Sequence, residues 1–268
     1  MPRALRNDRI APSASSASAL AGLFADACEH DASLVSIPRA EIQLVVRFGP
    51  SARSGVDAHV FGVRERVHRK RIRAGQRTLT ARLHLGATEA VFGVPASAIA
   101  GNIVALDELW GAAAARQLRD RLATARGTAD EAAIVDGAIA ERLHRAAPLR
   151  PHARLVLDAA ARLASDHVNA VATGLGMSER HLRRVFRDAV GMSPKAFARL
   201  ARFHRALGAA REPRPASWAR IAAATGYYDQ AHLIEDFRSI AGVTPRVLLG
   251  ELASRSSAGL RAMNFENG

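Results

Sequence analysis

The first part of the chain has the hydrophobic pattern of β-strands. Residues 41–48, EIQLVVRF, are rich in branched side chains and precede Gly49 and Pro50, which break regular structure. Residues 59–67 and 77–85 alternate apolar and polar positions, as half-buried strands do. The pattern therefore predicts three strands between residues 41 and 85.

The first 29 residues lack a comparable pattern. A basic start is followed by the Ser- and Ala-rich stretch APSASSASAL, without the apolar core of about 7–15 residues that a signal peptide needs. We interpret residues 1–29 as a flexible N-terminal segment, within which residues 19–28 have the composition of a short helix.

Residues 87–146 change to a helical pattern. Asp107 is expected to be the N-cap of a helix that begins with ELWG, and Asp130 the N-cap of the helix that follows. Pro148 and Pro151 then break the helix. The predicted organisation is a domain at 30–146, a linker at 147–151, a helical domain at 152–251 and a mobile tail at 252–268.

The helical domain contains a repeat. The stretch HLRRVFRDAVGMSP at 181–194 returns as HLIEDFRSIAGVTP at 232–245, with His, Leu, Phe, Arg, Gly and Pro each displaced by 51 residues. A constant displacement of six identities indicates a duplicated unit.

Each copy of the repeat is predicted to end a helix-turn-helix. In the first, a short helix at 168–173 and a turn precede Ser178, which suits the N-cap of a second helix. In the second, a helix at 218–225 and the turn Gly226-Tyr227-Tyr228 precede Asp229, which suits the same role. Each second helix has the place of a recognition helix, the one that enters a DNA major groove.

The charge of the chain is concentrated on this domain. The whole chain has 38 Lys and Arg against 25 Asp and Glu, a net charge of +13, but residues 180–220 alone hold eleven basic and two acidic residues. The apolar stripe of the first recognition helix leaves its arginines on another face: Arg180, Arg183, Arg184 and Arg187. Guanidinium groups bind phosphate and the guanine edge in a major groove, so this face predicts DNA binding.

A second arginine-rich stretch lies between residues 64 and 82. It could be a nucleic-acid stripe or the solvated faces of two strands and their turn, and the second interpretation is favoured.

Other kinds of site have little support in the sequence. Cys28 is the only cysteine, and the ten histidines show no metal-ligand spacing, so neither a metal site nor a cofactor is predicted. Cys28 fits an inert position better than a redox sensor. Trp110 and Trp218 fit core positions, and for Trp110 an effector pocket is the less favoured alternative. No catalytic motif and no apolar run of membrane-spanning length is present.

The motifs LGMSERHLRRVFRDAVGMSPKAF and IAAATGYYDQAHLIEDFRSIAGVTP resemble the AraC-type transcriptional regulators over residues 150–250. GATEAVFGVPAS at 86–97 and NIVALDELWGAAAARQLRDRL at 102–122 are similar to the sensor half of a subset of these regulators. The resemblance implies an α+β protein, with an N-terminal strand-then-helix sensor-like domain followed by an all-α tandem helix-turn-helix domain.

The resemblance also implies DNA contacts. Base contacts of the family fall on three residues of each recognition helix: Arg180, Arg183 and Arg184, and Gln230, Ala231 and Glu235. Contacts to phosphates or at the helix starts are expected from a further set: Ser178, His181, Arg187, Lys195, Arg202 and His232. For His181 and His232, the pattern fits an exposed residue without a DNA contact nearly as well as a phosphate contact.

The second recognition helix departs from the family by carrying Glu235 and Asp236, two negative charges that phosphates would repel. Glu235 could accept a hydrogen bond from a cytosine amino group. Alternatively it could pair with Arg238 or Arg220 and contact no base, which is slightly favoured. Either account predicts that the first unit supplies most of the affinity for DNA.

The function expected from the sequence is therefore a cytoplasmic, non-enzymatic transcriptional regulator that binds double-stranded DNA. A small-molecule effector would act on the N-terminal domain, while contact with RNA polymerase and homodimerisation are open and no membrane partner is expected. Two alternatives are an enzyme in residues 30–146 that the C-terminal unit tethers to DNA, and a nonspecific binder of nucleic acid or anionic membranes.

Overall fold

The structure, a computed structural model, describes residues 5–49, 52, 55–146 and 152–256. Its N-terminal part contains an antiparallel six-stranded sheet with the order β1-β2-β7-β4-β5-β8, and a two-stranded sheet of β3 and β6. The strands are β1 Leu5–Ile10, β2 Leu20–Cys28, β3 Ala32–Ser36, β4 Gln43–Phe48, β5 Val56–Phe61, β6 His68–Ile72, β7 Arg77–Leu83 and β8 Ile103–Ala105.

Among the described residues, five helices belong to the N-terminal domain, with β8 between the second and third, and seven belong to the C-terminal domain. The first group is α1 Thr88–Phe92, α2 Ala96–Ile99, α3 Leu106–Trp110, α4 Ala112–Ala123 and α5 Thr128–Arg145. The second group is α6 His152–Leu163, α7 Val168–Gly174, α8 Glu179–Val190, α9 Pro194–Ala209, α10 Trp218–Thr225, α11 Gln230–Ala241 and α12 Pro245–Ser256. This order of a strand-rich domain before an all-helical one confirms the predicted α+β class.

Buried side chains of the central strands form the core of the N-terminal domain. Leu44 and Val46 of β4 and Leu79 and Leu83 of β7 are at most 1% exposed. Helix α5 covers this sheet, where the buried Glu131 accepts hydrogen bonds from both terminal nitrogens of Arg77 at 3.1 and 2.9 Å.

The prediction of a flexible segment over residues 1–29 is not met where the structure describes it, because β1 and β2 lie in the main sheet. Residues 19–28, expected to be helical, are mostly β2, which pairs with β1 on one side and β7 on the other. Leu20, Leu23 and Phe24 are buried there. Pairing with β7, whose partners lie 50 to 63 residues later, outweighs the local composition.

Two predicted helix starts are also wrong. Gly111, at φ 83°, separates α3 from α4, and Asp107 lies inside α3, where its carboxylate accepts hydrogen bonds from Arg119 at 2.7 and 2.9 Å. Gly127 precedes α5, so Asp130 falls in the first turn and accepts from the Arg126 N–H.

The domain boundaries can be compared with the structure only in part. The linker expected at 147–151 lies outside the described residues. The tail expected from residue 252 is helical as far as Ser256, because α12 extends to that residue, and the remainder also lies outside the described part. Every helix in the described ranges is too short or too polar to span a bilayer.

Candidate nucleic-acid interface

Helix α8 is the recognition helix of the first unit. Its N-terminus is capped as predicted, since the Ser178 hydroxyl accepts a hydrogen bond from the His181 N–H at 3.2 Å. Leu182, Phe186 and Val190 are buried on one side, and Phe186 meets Phe197 of α9 edge to face with ring centroids 5.3 Å apart. These contacts fix which side of α8 faces outward.

The outward side of α8 carries the four arginines together. Arg180, Arg183, Arg184 and Arg187 are all exposed. Arg183 pairs with Glu179 one turn earlier, and Arg184 Nη2 lies 3.3 Å from Nδ1 of the half-buried His181. Four guanidinium groups outnumber the carboxylates of Glu179 and Asp188 on this helix, which leaves the face positive and able to bind an anionic polymer.

The two cations expected to contact phosphates from α9 lie in different surroundings. Lys195, in the first turn after the Ser193 cap and Pro194, is exposed. Arg202 is half-buried, and its guanidinium stacks on the Tyr227 ring at 4.7 Å from the centroid. Arg202 therefore packs α9 against the second unit, a role that the sequence pattern did not indicate.

Helix α11 is the recognition helix of the second unit. Asp229 Oδ1 accepts a hydrogen bond from the His232 N–H at 2.7 Å, which confirms the predicted cap. Leu233 and Phe237 are buried, and the Phe237 ring packs against Phe203 of α9 at 4.5 Å. The predicted contact residues are exposed on α11: Gln230, Ala231, His232 and Glu235.

Asp236 does not add negative charge to this exposed face. Its side chain is only 5% exposed, accepts a hydrogen bond from the Tyr227 hydroxyl at 2.9 Å and pairs with Arg199 of α9. Burial and the Asp236 carboxylate together raise the pKa of Tyr227. The expectation that Asp236 repels phosphate is therefore wrong, and its position three residues after Leu233 was the signal that it faces inward.

Glu235 is exposed and, within the described part of the chain, lacks the ion pair with Arg238 or Arg220 that the sequence favoured. Among the ion pairs between described residues, none joins Glu235 to Arg238 or Arg220. Its carboxylate is thus the acidic group on the outward face of α11. This position is compatible with the other alternative, in which Glu235 accepts a hydrogen bond from a cytosine amino group.

The N-terminal domain has a polar groove between the β3–β6 sheet and the adjoining strands. It is lined by cationic and polar side chains that include Arg39, Glu41, Gln43, Arg64, Arg66 and His68. Burial lowers the pKa of Arg39 and of Arg64, and burial together with Arg64 lowers that of His68. Cations outnumber the single carboxylate, so the groove suits an anion.

Two residues considered for other roles, Trp110 and Cys28, lie in the interior. Trp110 is buried, donates from Nε1 to the Val91 carbonyl at 3.0 Å and packs against Phe92, in keeping with a core position. Cys28 is buried, donates to the His30 carbonyl, and burial raises the pKa of its thiol, which makes the reactive thiolate rarer. Within the described ranges, no group of three His, Cys, Asp or Glu side chains could hold a metal ion.

The C-terminal domain matches a known family of DNA-binding domains. Residues 171–250 match HTH_18, described as a helix-turn-helix domain. The C-terminal domain is an AraC-type helix-turn-helix domain. This confirms the resemblance seen in the repeat and supports a DNA-binding transcriptional regulator.

Solved structures of this kind show limited overall likeness to the chain. The DNA-binding domain of AdpA in complex with a target DNA is 25% identical over 41% of this chain and 98% of that one, with a TM-score of 0.35. A DNA-binding transcriptional dual regulator from Escherichia coli K-12 is 24% identical over 41% and 100%, at 0.32. ToxT from Vibrio cholerae is 7% identical over 92% and 98%, at 0.43.

The assignment to the AraC-type class therefore rests on the match over residues 171–250. No curated protein is significantly similar to the chain.

Proposed function

We propose that the protein is a sequence-specific transcriptional regulator whose helices α8 and α11 enter adjacent major grooves, under control of a small-molecule effector bound by the N-terminal domain. The observation that carries the proposal is the outward arginine face of α8, formed by Arg180, Arg183, Arg184 and Arg187. Arg183 and Arg184 are assigned to base edges, because bidentate guanidinium contacts distinguish guanine. Arg187 and Lys195 are assigned to phosphates.

Helix α9 supports simultaneous binding by both units. Its 16 residues give a rod of about 24 Å, which packs on the first unit through Phe197 and on the second through Phe203. A rigid connection of this length suits two recognition helices placed about one turn of DNA, ~34 Å, apart. Since the tandem domain holds two recognition helices itself, DNA binding does not require a second copy of the chain.

The two units are expected to contribute unequally. The outward face of α8 bears four arginines, whereas the matching positions of α11 hold one arginine, one acid and two apolar side chains: Arg238, Glu235, Ala231 and Ile234. Phosphate contacts dominate the free energy of DNA binding, so the first unit should supply most of the affinity and the second mainly discrimination.

The first experiment is binding of the full chain to the intergenic DNA upstream of its own gene, with scrambled competitor, over a salt series. A complex that survives excess competitor supports specific recognition. Equal loss of upstream and scrambled complexes at every salt concentration would instead favour a nonspecific electrostatic binder.

The effector site proposed for the N-terminal domain is the groove at Arg39, Arg64 and Arg66. Its excess of cations supports a small anion as the effector class. Benzoate, citrate and inorganic phosphate can each be titrated into the complex of full chain and upstream DNA. A change in DNA affinity that Arg66→Gln removes and Arg126→Gln retains would support the groove, and identical responses of the two variants would oppose it.

The remaining expectations stay predictions: homodimerisation, contact with RNA polymerase and cytoplasmic localisation. The alternative of an enzyme in residues 30–146 has no supporting constellation among the described residues.

A further inference from the structure

The N-terminal domain contacts the C-terminal end of the first recognition helix. Ser97 of α2 donates from its hydroxyl to Asp188 of α8 at 3.1 Å. Gly191, which ends α8, lies so close to this domain that a Cβ there would be 2.9 Å from Val63 Cγ2 and 3.0 Å from the Ala96 carbonyl oxygen.

The same domain contacts the C-terminal end of the second recognition helix through the residues around β6. The Val67 N–H donates to the Ile240 carbonyl at 2.8 Å, and Arg69 Nη1 donates to the Ala241 carbonyl at 2.9 Å. Arg69 Nη2 also lies 2.9 Å from Oε2 of Glu251 on α12. One guanidinium thereby joins β6, the end of α11 and the following helix.

The two contacts fall at equivalent places in the repeat. Gly191 ends α8, and Gly242, 51 residues later, ends α11. The last carbonyls of a helix lack partners within the helix and carry partial negative charge, so an N–H and a guanidinium are suitable groups to receive there. The outward residues near the start of α11, Gln230 and Ala231, remain exposed. Holding the C-terminal ends is thus compatible with DNA at the other end.

We propose that Arg69 is a positioning residue for the second recognition helix: from the N-terminal domain it fixes the C-terminal end of α11, and so sets the orientation in which α11 meets DNA relative to α8. This rests on the proposed function, in which both helices read DNA. When the orientation of α11 is already fixed, less conformational entropy is lost on binding. This favours binding to a site with two half-sites.

The first measurement needs no DNA. Hydrogen exchange of the Val67 amide in the full chain reports whether the end of α11 is held, because that N–H is bonded to Ile240. Arg69→Ala should speed its exchange severalfold, while Arg69→Lys, which keeps one donor, should have a smaller effect. Arg71→Ala is the matched control, since Arg71 is an exposed cation two residues along the same strand. Unchanged exchange in Arg69→Ala would overturn the proposal.

The second measurement uses duplexes selected from a randomised library by the wild-type full chain. Arg184→Ala and Glu235→Gln identify the half-sites of the first and second units. Arg69→Ala should reduce base discrimination in the second half-site by about threefold or more and leave the first within about twofold. Equal losses at both half-sites, or the same losses in Arg71→Ala, would show a general charge effect and would also overturn it.

Failure of this inference and failure of the proposed function give different results. If the wild-type chain selects no sequence, the proposed function is wrong, while the exchange experiment still decides whether Arg69 holds α11. If the chain selects a two-part site and Arg69→Ala leaves both measurements unchanged, only the positioning role is wrong. Thermal unfolding of each variant separates local release of α11 from loss of the fold.

Discussion

Asp236 and Glu235, adjacent in the sequence, have opposite environments. Asp236 is buried between Tyr227 and Arg199, whereas Glu235 is exposed on the outward face of α11. A charge on a recognition helix can therefore serve the core, and its place relative to Leu233 and Phe237 determines which role it has.

Asp236→Ala is predicted to lower the free energy of unfolding by about 2–3 kcal/mol, because it leaves Tyr227 and Arg199 without their shared buried partner. The midpoint of thermal unfolding followed by circular dichroism measures the effect. Glu235→Gln is the matched control and should change stability by no more than about 0.5 kcal/mol. A similar loss in both variants would contradict the buried role of Asp236.

Arg184 and Lys195 should affect DNA binding in different ways. Arg184→Ala is predicted to cost about 1–3 kcal/mol on the selected site and to relax preference at one base position. Lys195→Ala should weaken binding to all sequences alike and reduce the slope of log affinity against log salt by about 0.9.

Competition binding over a salt series separates these two effects, with Arg126→Ala of the N-terminal domain as the control for loss of one positive charge. Unchanged base preference in Arg184→Ala would contradict its assignment to a base edge.

At the scale of elements, the sequence predicted the helix-turn-helix units closely and the sheet incompletely. Helix starts are marked by side-chain caps at Ser178, Ser193 and Asp229. Each cap bonds a backbone N–H three residues later, so a short stretch of sequence is enough to predict it. Strands β1 and β2 instead depend on pairing with each other and with β7. The basic strand β6 was not predicted either. Its sequence, HRKRI, lacks the alternation of a strand, and it forms one by pairing with β3.

The candidate site was predictable to a similar degree. The arginine face of α8 follows from helical periodicity, and the structure places all four arginines on it. The burial of Arg202 against Tyr227 and the contact of Arg69 with α11 arise from tertiary packing between distant segments. No local pattern contains such contacts.

The glycines that end α8 and α11 give a matched pair of variants. Both are left-handed, at φ 85° and 73°, so alanine costs about 1–2 kcal/mol at either position. A Cβ at Gly191 would also press on Val63 and Ala96, whereas none of the described atoms comes within 4 Å of one at Gly242. Gly191→Ala should therefore lower the thermal midpoint clearly more than Gly242→Ala, and equal losses would contradict the close approach of the N-terminal domain to α8.

At the scale of the whole molecule, three sets of contacts between described residues help to join the two domains. Two lie at the ends of α8 and α11, and the third is on α9, where His204 Nε2 donates to the Pro38 carbonyl at 2.8 Å. Since α9 also packs on both units, a change in the N-terminal domain can reach both recognition helices through one rigid helix as well as directly.

His204 makes this third contact sensitive to acid. Burial, opposed by the hydrogen bond to Pro38 and aided by nearby Arg39, lowers its pKa from 6.5 to about 4, while Glu41 acts in the opposite direction. Between these values the unfolded chain binds a proton that the folded chain does not, so this residue makes stability fall as pH decreases from 6.5 to 4, by at most about 1.4 kcal/mol per pH unit.

Glutamine can still donate to Pro38 but does not titrate, so His204→Gln should flatten the loss of unfolding free energy across this range. His167→Gln, at an exposed histidine of the same domain, is the control, and equal slopes for wild type and His204→Gln in urea titrations at each pH would show that His204 is not held neutral at the domain contact.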